Sequence, residues 1–277
     1  MNSSMINAMV SMGGLQQKLD LLADNIANVN TAGYKRKDAS FEDLLTNMKQ
    51  QQEAFEQPVR LTPLGFNLGW GSRMVLVQPD LSQGPIQPTE NEYDIAIQGS
   101  ALFEVQVDGQ GNRAYTRSGS FQPTLNENGE AVLTNPDGYP IIAVNADGEE
   151  GQVIIPDGYT LRVDAFGNMQ GISRDESDVV ELGRLKLVEP IKPSVLSPTA
   201  DNLFVIADGL DIAEVVRNVQ PDQGNNLRVM QGFIEQSNVE IGKEMSDLMI
   251  VQRAYQMSAR ALSSSDQMMG MANGLRG

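Results

Sequence analysis

Both ends of this chain carry apolar residues at heptad spacing, and the long stretch between them does not. From about Ser4 to Asn30, Met5, Met9 and Met12 are spaced four then three; Leu15, Leu19, Leu22, Ile26 and Val29 then repeat four, three, four, three. That is the seam of a helix packed along its length, with one phase slip between the two sets. The slip lies beside Gly13-Gly14, where each Gly costs a helix about 1 kcal/mol relative to Ala. Near the other end Ile241, Met245, Leu248, Gln252, Tyr255, Ala259 and Leu262 keep strict four-three spacing. Ser237 with Glu240 has the form of a capping box, and Gly33 and Asn273-Gly274 suit helix ends. A helix over 238–272 would be about 50 Å long at 1.5 Å per residue. Apolar stripes of this kind do not stay in water without cost: a few hundred Å² amounts to several kcal/mol at roughly 25 cal/mol per Å². They pack on each other, on copies of themselves, or on a partner.

From about Trp70 to Val219 the period changes to two. Tyr93–Ile97, Leu102–Val107, Ala131–Thr134, Ile141–Val144, Val153–Ile155, Leu185–Val188 and Leu203–Ile206 read as strands. Asp108-Gly109, Asn128-Gly129, Asp137-Gly138, Asp147-Gly148, Asp157-Gly158 and Asp208-Gly209 punctuate them, and Asx-Gly pairs supply the positive φ of hairpin turns. Phe41–Phe55 looks helical, with Gln50-Gln51-Gln52 inside it and Pro58 and Pro63 after it. The fold class expected is α+β: paired, coiled-coil-like N- and C-terminal helices with an inserted, mainly antiparallel β domain. Residues 1–35 with 238–277 would form a terminal helical assembly domain, 36–80 with 218–237 a connector, and 81–217 the central β domain.

Charge follows the same division. The formal net charge is −16, yet residues 1–35 and 227–277 are each neutral, so the acidity lies wholly in residues 36–226. An acidic chain does not bind nucleic acid or anionic lipid through a general basic surface. No apolar run approaches the roughly 20 residues of a membrane span. The N-terminus has no basic residue before Lys18 and does not read as a cleaved signal peptide.

The chain has no Cys and no His, which removes disulfides, thiol chemistry, Cys/His zinc sites and histidine-based triads together. Gly65–Gly71 lacks the Lys-Ser/Thr of a phosphate loop. Glu90-Asn91-Glu92 and Asp147-Gly148-Glu149-Glu150 lack the ligand order of a Ca²⁺ loop. No catalytic, cofactor-binding or metal-binding residue is therefore expected. A wall-cleaving glycosidase would need two carboxyls about 5–10 Å apart, one with its pKa raised, and no such pair can be named from the sequence.

Asn25-Ile26-Ala27-Asn28-Val29-Asn30-Thr31-Ala32-Gly33-Tyr34-Lys35 closely resembles the N-terminal signature of the bacterial flagellar hook–basal body axial proteins, the rod and hook subunits. Ser237-Asn238-Val239, Glu244-Met245 and Gln252-Arg253-Ala254-Tyr255-Gln256 resemble their C-terminal signature. Asp94–Gly99 and Tyr115–Phe121 resemble their central β domain. The similarity runs in order over nearly the whole chain. It implies a structural rod subunit, with a hook or hook-associated subunit of the same family as the alternative; from other classes, the rivals are the wall-acting enzyme and a surface adhesin. It further implies partners among copies of itself and other axial proteins, passage through the flagellar type III export apparatus, and a place in the basal body of the cell envelope. The terminal helices would pair in a tube wall that carries torque and continues the export channel.

The assembly residues this implies are Leu15, Leu19, Leu22, Asn25, Ile26, Asn28, Asn30, Thr31, Gly33 and Tyr34 at one end. At the other they are Ser237, Asn238, Val239, Ile241, Met245, Leu248, Gln252, Tyr255 and Leu262. Read physically, Asn25, Asn28 and Asn30 are either buried and hydrogen-bonded, fixing register, or exposed at a fraying helix end. Tyr34 either anchors the turn or covers the base of the β domain. Gln252, polar on its seam, is placed to select register against Asn25 or Asn28.

Overall fold

Both terminal stripes form helices in a computed structural model of the chain: α1 spans Asn2–Ala27 and, after a single turn α2 at Ile212–Val215, α3 spans Ile241–Gly274. Residues 2–43, 47–50, 65–68, 72–108, 112–126, 129–145, 148–175, 178–199, 202–206, 210–222 and 226–274 are described. Strands in mainly antiparallel sheets fill the middle, so the class is α+β. Among the described residues no helix is long and apolar enough to cross a membrane.

The chain divides into two units. The helical unit comprises Met1–Ile26, Asp38–Val77 and Ile241–Gly277. Part of the stretch expected to be helical, Phe41–Phe55, is strand instead: Lys37–Asp43 pairs with Ser72–Pro79, and Asn47–Gln50 with Gly65–Leu68. The Pro58, Pro63 and Trp70 positions and most of the Gln-rich patch lie outside the described residues.

In α3 the least exposed line is Glu244, Leu248, Val251, Tyr255, Ser258, Leu262, Ser265 and Met269, an unbroken four-three repeat. It shares Leu248, Tyr255 and Leu262 with the expected stripe but is turned one residue at the alternate positions, so Val251 is buried and Gln252 exposed. On other faces Met245, Met249, Ile250, Met257, Met268 and Met271 are each at least half exposed. In α1 the buried positions are Gly14, Leu22 and Asn25.

The β unit comprises Ala27–Lys37 and Gln78–Glu240. Its largest sheet has six strands in the order Leu196–Pro198, Leu203–Ile206, Arg113–Thr116, Leu102–Gln106, Leu187–Pro190, Val216–Val219. A five-stranded sheet runs Glu150–Gln152, Ile142–Val144, Val179–Leu185, Asn168–Ser173, Tyr159–Val163. The expected Leu185–Val188 strand is thus the meeting of two strands in different sheets. Two short pairings tie distant segments: Ile95–Gln98 with Arg228–Gln231, and Ile86–Pro88 with Phe233–Glu235. Residues 226–235, expected as connector, therefore lie in the β structure.

The hairpin turns are longer than two residues. In Asn135–Tyr139 the Asn135 N–H donates to the Tyr139 carbonyl at 2.9 Å, and the Tyr139 N–H donates to Asn135 Oδ1 at 2.8 Å. Gly138 holds φ +89°, and Asp137 before it has no positive φ. The same two bonds join Asn126 and Glu130. The upstream Asn caps the loop, and in Asn135–Tyr139 only Gly138 enters the left-handed region. The turns at Asp108-Gly109, Asn128-Gly129, Asp147-Gly148 and Asp208-Gly209 include residues outside the described ones. The main core gathers Ile95, Ile97, Phe103, Phe121, Leu133, Ile141, Met169, Leu187, Leu227 and Val229. Phe103 meets Phe121 edge to face at 5.1 Å.

Candidate functional site: a buried charge clasp

The segments that carry the three sequence signatures meet inside the β unit. Lys35, Arg117 and Glu235 come from residues 200 and 118 apart in sequence, and their side chains are 1 to 2% exposed. Lys35 Nζ donates to Glu235 Oε1 and Arg117 Nε to Glu235 Oε2, both at 2.6 Å. One carboxylate so bridges two cations, and backbone carbonyls accept from further donors of both. Lys35 Nζ also donates to the Ser82 carbonyl at 2.6 Å. Arg117 Nη2 donates to the Ile97 and Gly99 carbonyls at 2.8 and 2.6 Å, and Nη1 to the Ala101 carbonyl. Glu235 Oε1 also accepts from the Gly84 N–H at 2.8 Å. A buried charge is costly unless paired and hydrogen-bonded; here each condition is met by a different segment.

Backbone packing makes the arrangement exacting. Gly33 has φ +70°, and a Cβ there would lie 2.3 Å from the Ser118 nitrogen. The same close approach recurs at Gly119, where a Cβ would be 1.7 Å from the Ile95 oxygen, and at Gly84, 2.1 Å from the Gln236 oxygen. The Gly33 N–H donates to the Glu235 carbonyl at 2.8 Å. Asn238 continues the tie: its Oδ1 accepts from the Arg36 N–H at 2.7 Å, and its Nδ2 donates to the Asp80 and Ser82 carbonyls. Buried Tyr34 carries the Lys37 ammonium 5.6 Å from its ring centroid. The arrangement fastens the chain arriving after α1 to the chain leaving toward α3. Burial pushes the Lys35 pKa down, opposed by Glu235.

The clasp also changes the expected start of the last helix. Ser237 Oγ accepts from the Val239 N–H at 3.3 Å instead of closing a capping box, and α3 begins at Ile241. Residues 235–238 already spend their polar groups on the incoming segment and on Pro85, whose carbonyl accepts from the Gln236 N–H, so they stay extended. Likewise α1 ends at Ala27, before Gly33, in a turn where Thr31 Oγ1 donates to Asn28 Oδ1 at 3.1 Å.

Of the residues expected at an assembly site, Leu22, Asn25, Gly33, Tyr34, Ser237 and Val239 are buried. Leu15, Leu19, Ile26, Asn28, Thr31, Asn238, Leu248, Tyr255 and Leu262 are half-buried, and Asn30, Ile241, Met245 and Gln252 are exposed. Within the helical unit Asn25 Nδ2 donates to Glu244 Oε2 at 3.2 Å, with both residues 1% exposed. The partner expected for it, Gln252, faces solvent. Glu244, Lys35, Arg117 and Glu235 were missed. Lys35 and Arg117 stand inside the recognised signatures, and Glu235 follows the strand residues Phe233 and Ile234; a charge in such a run is a signal for a buried pair.

A second charged cluster bears on the enzyme alternative. Buried Glu104 meets Arg113 at 2.6 Å and Lys186 at 3.0 Å, and the same two cations meet Glu150 at 2.6 Å each. It edges a cleft of about 510 Å³ that Tyr115, Ile191 and Ile212 also line. The Lys186 hydrogen bond holds the Glu150 carboxyl below its usual range, with Arg113 adding to it. A glycosidase acid needs the opposite shift. Burial, with Glu104 nearby, pushes the Tyr115 phenol up to about 12. Among the described residues no group of three or more Asp or Glu could hold a metal ion.

Comparison with known proteins gives three matching family models in chain order. Residues 7–35 match the flagella basal body rod protein family, 96–173 the D1 domain of the flagellar hook protein FlgE/F/G family, and 230–275 the C-terminal region of flagellar basal body rod FlgEFG proteins. The chain is 32% identical to the flagellar hook-basal body complex protein FlhP of Bacillus subtilis, over 99% of both chains. It is 32% identical to the flagellar basal-body rod protein FlgG of Borreliella burgdorferi, over 96% of this chain and 95% of that one. With FlgG of Buchnera aphidicola subsp. Baizongia pistaciae the identity is 31%, over 95% of each. Each clasp residue falls in or beside a matched region: Lys35 in the first, Arg117 in the second, Glu235 in the third.

Proposed function

This chain belongs to the flagellar basal-body rod and hook protein family and is a structural subunit of the rod, and we propose that it polymerises helically through its terminal helices, carrying torque and continuing the export channel. The observation that carries the polymerisation reading is the α3 surface. A 34-residue helix with Met245, Met249, Ile250, Met257, Met268 and Met271 in water has more apolar surface than a free helix keeps without cost. Covering it with helices of neighbouring copies and of other axial proteins removes that cost. In this reading α1 and α3 pair as a coiled coil, and Asn25 with Glu244 sets their register. The expected residues on the helices, Leu15 to Ile26 and Ile241 to Leu262, make the assembly contacts, while Gly33, Tyr34, Ser237 and Val239 serve the clasp that holds them. Residues 1–35 with 238–277 act as the assembly part, 36–80 with 218–237 as its connection, and 81–217 as the outward β part. The clasp supports torque transfer, because inside the β unit it ties the segment that follows α1 to the segment that precedes α3. The chain works without catalysis, and it reaches the basal body through the flagellar type III apparatus.

The test is assembly. Cells carrying Met257→Glu in place of the natural chain are expected to build basal bodies that stop before the rod is complete, seen by electron microscopy of purified particles. Full-length rods containing the variant would overturn polymerisation through this face. Gold-labelled antibody against the β unit, applied to wild-type particles, is expected along the rod; label confined to the curved hook would move the subunit there.

A further inference from the structure

We propose that residues 227–238 are a closing latch: the local hairpins of the β unit form first, and its core closes only when this segment docks. The inference follows from where the segment's bonds go. Gly33, Arg36, Gly84, Thr89 and Val163 donate their backbone N–H groups to Glu235 O, Asn238 Oδ1, Glu235 Oε1, Gly232 O and Gln231 Oε1, at 2.7 to 2.9 Å. Four earlier parts of the chain thus end on one short late segment. Among the described residues the strands Ile86–Pro88 and Ile95–Gln98 have no other strand partner in the sheet order. Leu227 and Val229 complete the main core. Before the segment arrives, Lys35 and Arg117 lack their shared carboxylate, and a buried cation without its partner opposes closure.

By contrast Ala131–Thr134, Tyr159–Val163 and Asn168–Ser173 pair with near neighbours in sequence. Local pairings close before distant ones, and isolated hairpins are marginal in water. A chain lacking residues 227–238 is therefore at most loosely structured. Only the use of this device rests on the rod reading: a subunit delivered unfolded stays open until this late segment is free to dock. The latch itself is a property of this chain.

The experiment is pulse-labelled hydrogen exchange of the full chain refolding from urea, read amide by amide. The Gly33, Arg36, Gly84, Thr89 and Val163 amides are expected to gain protection together, at least tenfold more slowly than Leu133 and Ile141, which bond to Val153 and Leu133. Glu235→Ala is expected to leave those five unprotected while Leu133 and Ile141 keep partial protection. Early protection of Gly84, Thr89 and Val163, in step with Leu133, would overturn the latch. Uniform loss of protection in Glu235→Ala would also overturn it, since the hairpins would then not precede closure. Neither outcome touches assembly, which the Met257→Glu particles read separately.

Discussion

The two units of this subunit treat their awkward groups in opposite ways. In the β unit the difficult groups are charges, and they are answered from within: Glu235 takes Lys35 and Arg117, and backbone carbonyls accept from further donors of both. In the helical unit the difficult groups are apolar, and α3 leaves them in water. Buried charge demands an immediate partner, because its penalty acts in the single molecule. Apolar surface tolerates delay, because its cost grows with area and is removed whenever a neighbour arrives. Under the proposed assembly through α3, a part finished in the monomer and a part finished by neighbours differ in their chemistry.

The comparison can be broken most directly at Glu235. Replacing it with Ala leaves two buried cations without their carboxylate, and the β unit should lose about 3–5 kcal/mol in urea unfolding followed by near-ultraviolet circular dichroism. A loss under 1 kcal/mol would mean that the clasp is ornamental. Gly33→Ala should cost about 2–3 kcal/mol in the same measurement, from strain at positive φ and contact with Ser118.

Glu150→Gln sharpens the contrast between the sealed clasp and the half-open Glu104 cluster. Glu150 is about a third exposed, so solvent screens its pairs and the loss should stay near 1 kcal/mol or below. Its folded pKa lies below the ordinary 4.5. The unfolded chain therefore binds the proton more readily, and the stabilisation is complete above about pH 4.5 and fades as pH falls through the folded value. Wild-type stability should fall over that acid window more steeply than that of the variant. The smallest effect on the monomer is expected for Met257→Glu: within about 0.5 kcal/mol of wild type by thermal unfolding, although the same change is expected to stop the rod. A large monomer loss would make α3 an intramolecular core helix.

Where periodicity and turn chemistry speak locally, the sequence was legible. Four-three spacing marks α1 and α3, and the strands at Ala131–Thr134 and Leu203–Ile206 have the expected bounds. The Asx-Gly steps announced hairpins but not their length, since the capping Asn135 lies two residues before the pair. Ser237 and Glu240 had the letters of a capping box, yet α3 starts later because the clasp holds residues 235–238 extended. The helix seam was legible to within one residue: Val251 and Gln252 differ by only 100° around the axis, and the buried bond of Glu244 to Asn25 accompanies the rotation that was not foreseen.

By itself, then, the amino-acid sequence determined the two terminal helices, the β character of the middle outside the 41–50 stretch, the neutral ends around an acidic middle, and the family. Those properties depend on neighbours a few residues apart, or on signatures that are contiguous. Only the tertiary structure decided that Lys35, Arg117 and Glu235 form one site, and that a strand near residue 96 pairs with a strand near residue 230. Such pairings join positions more than 100 residues apart, and no local spacing records them. They exist because a buried charge or an unpaired strand must find a partner, and the fold determines which one is within reach.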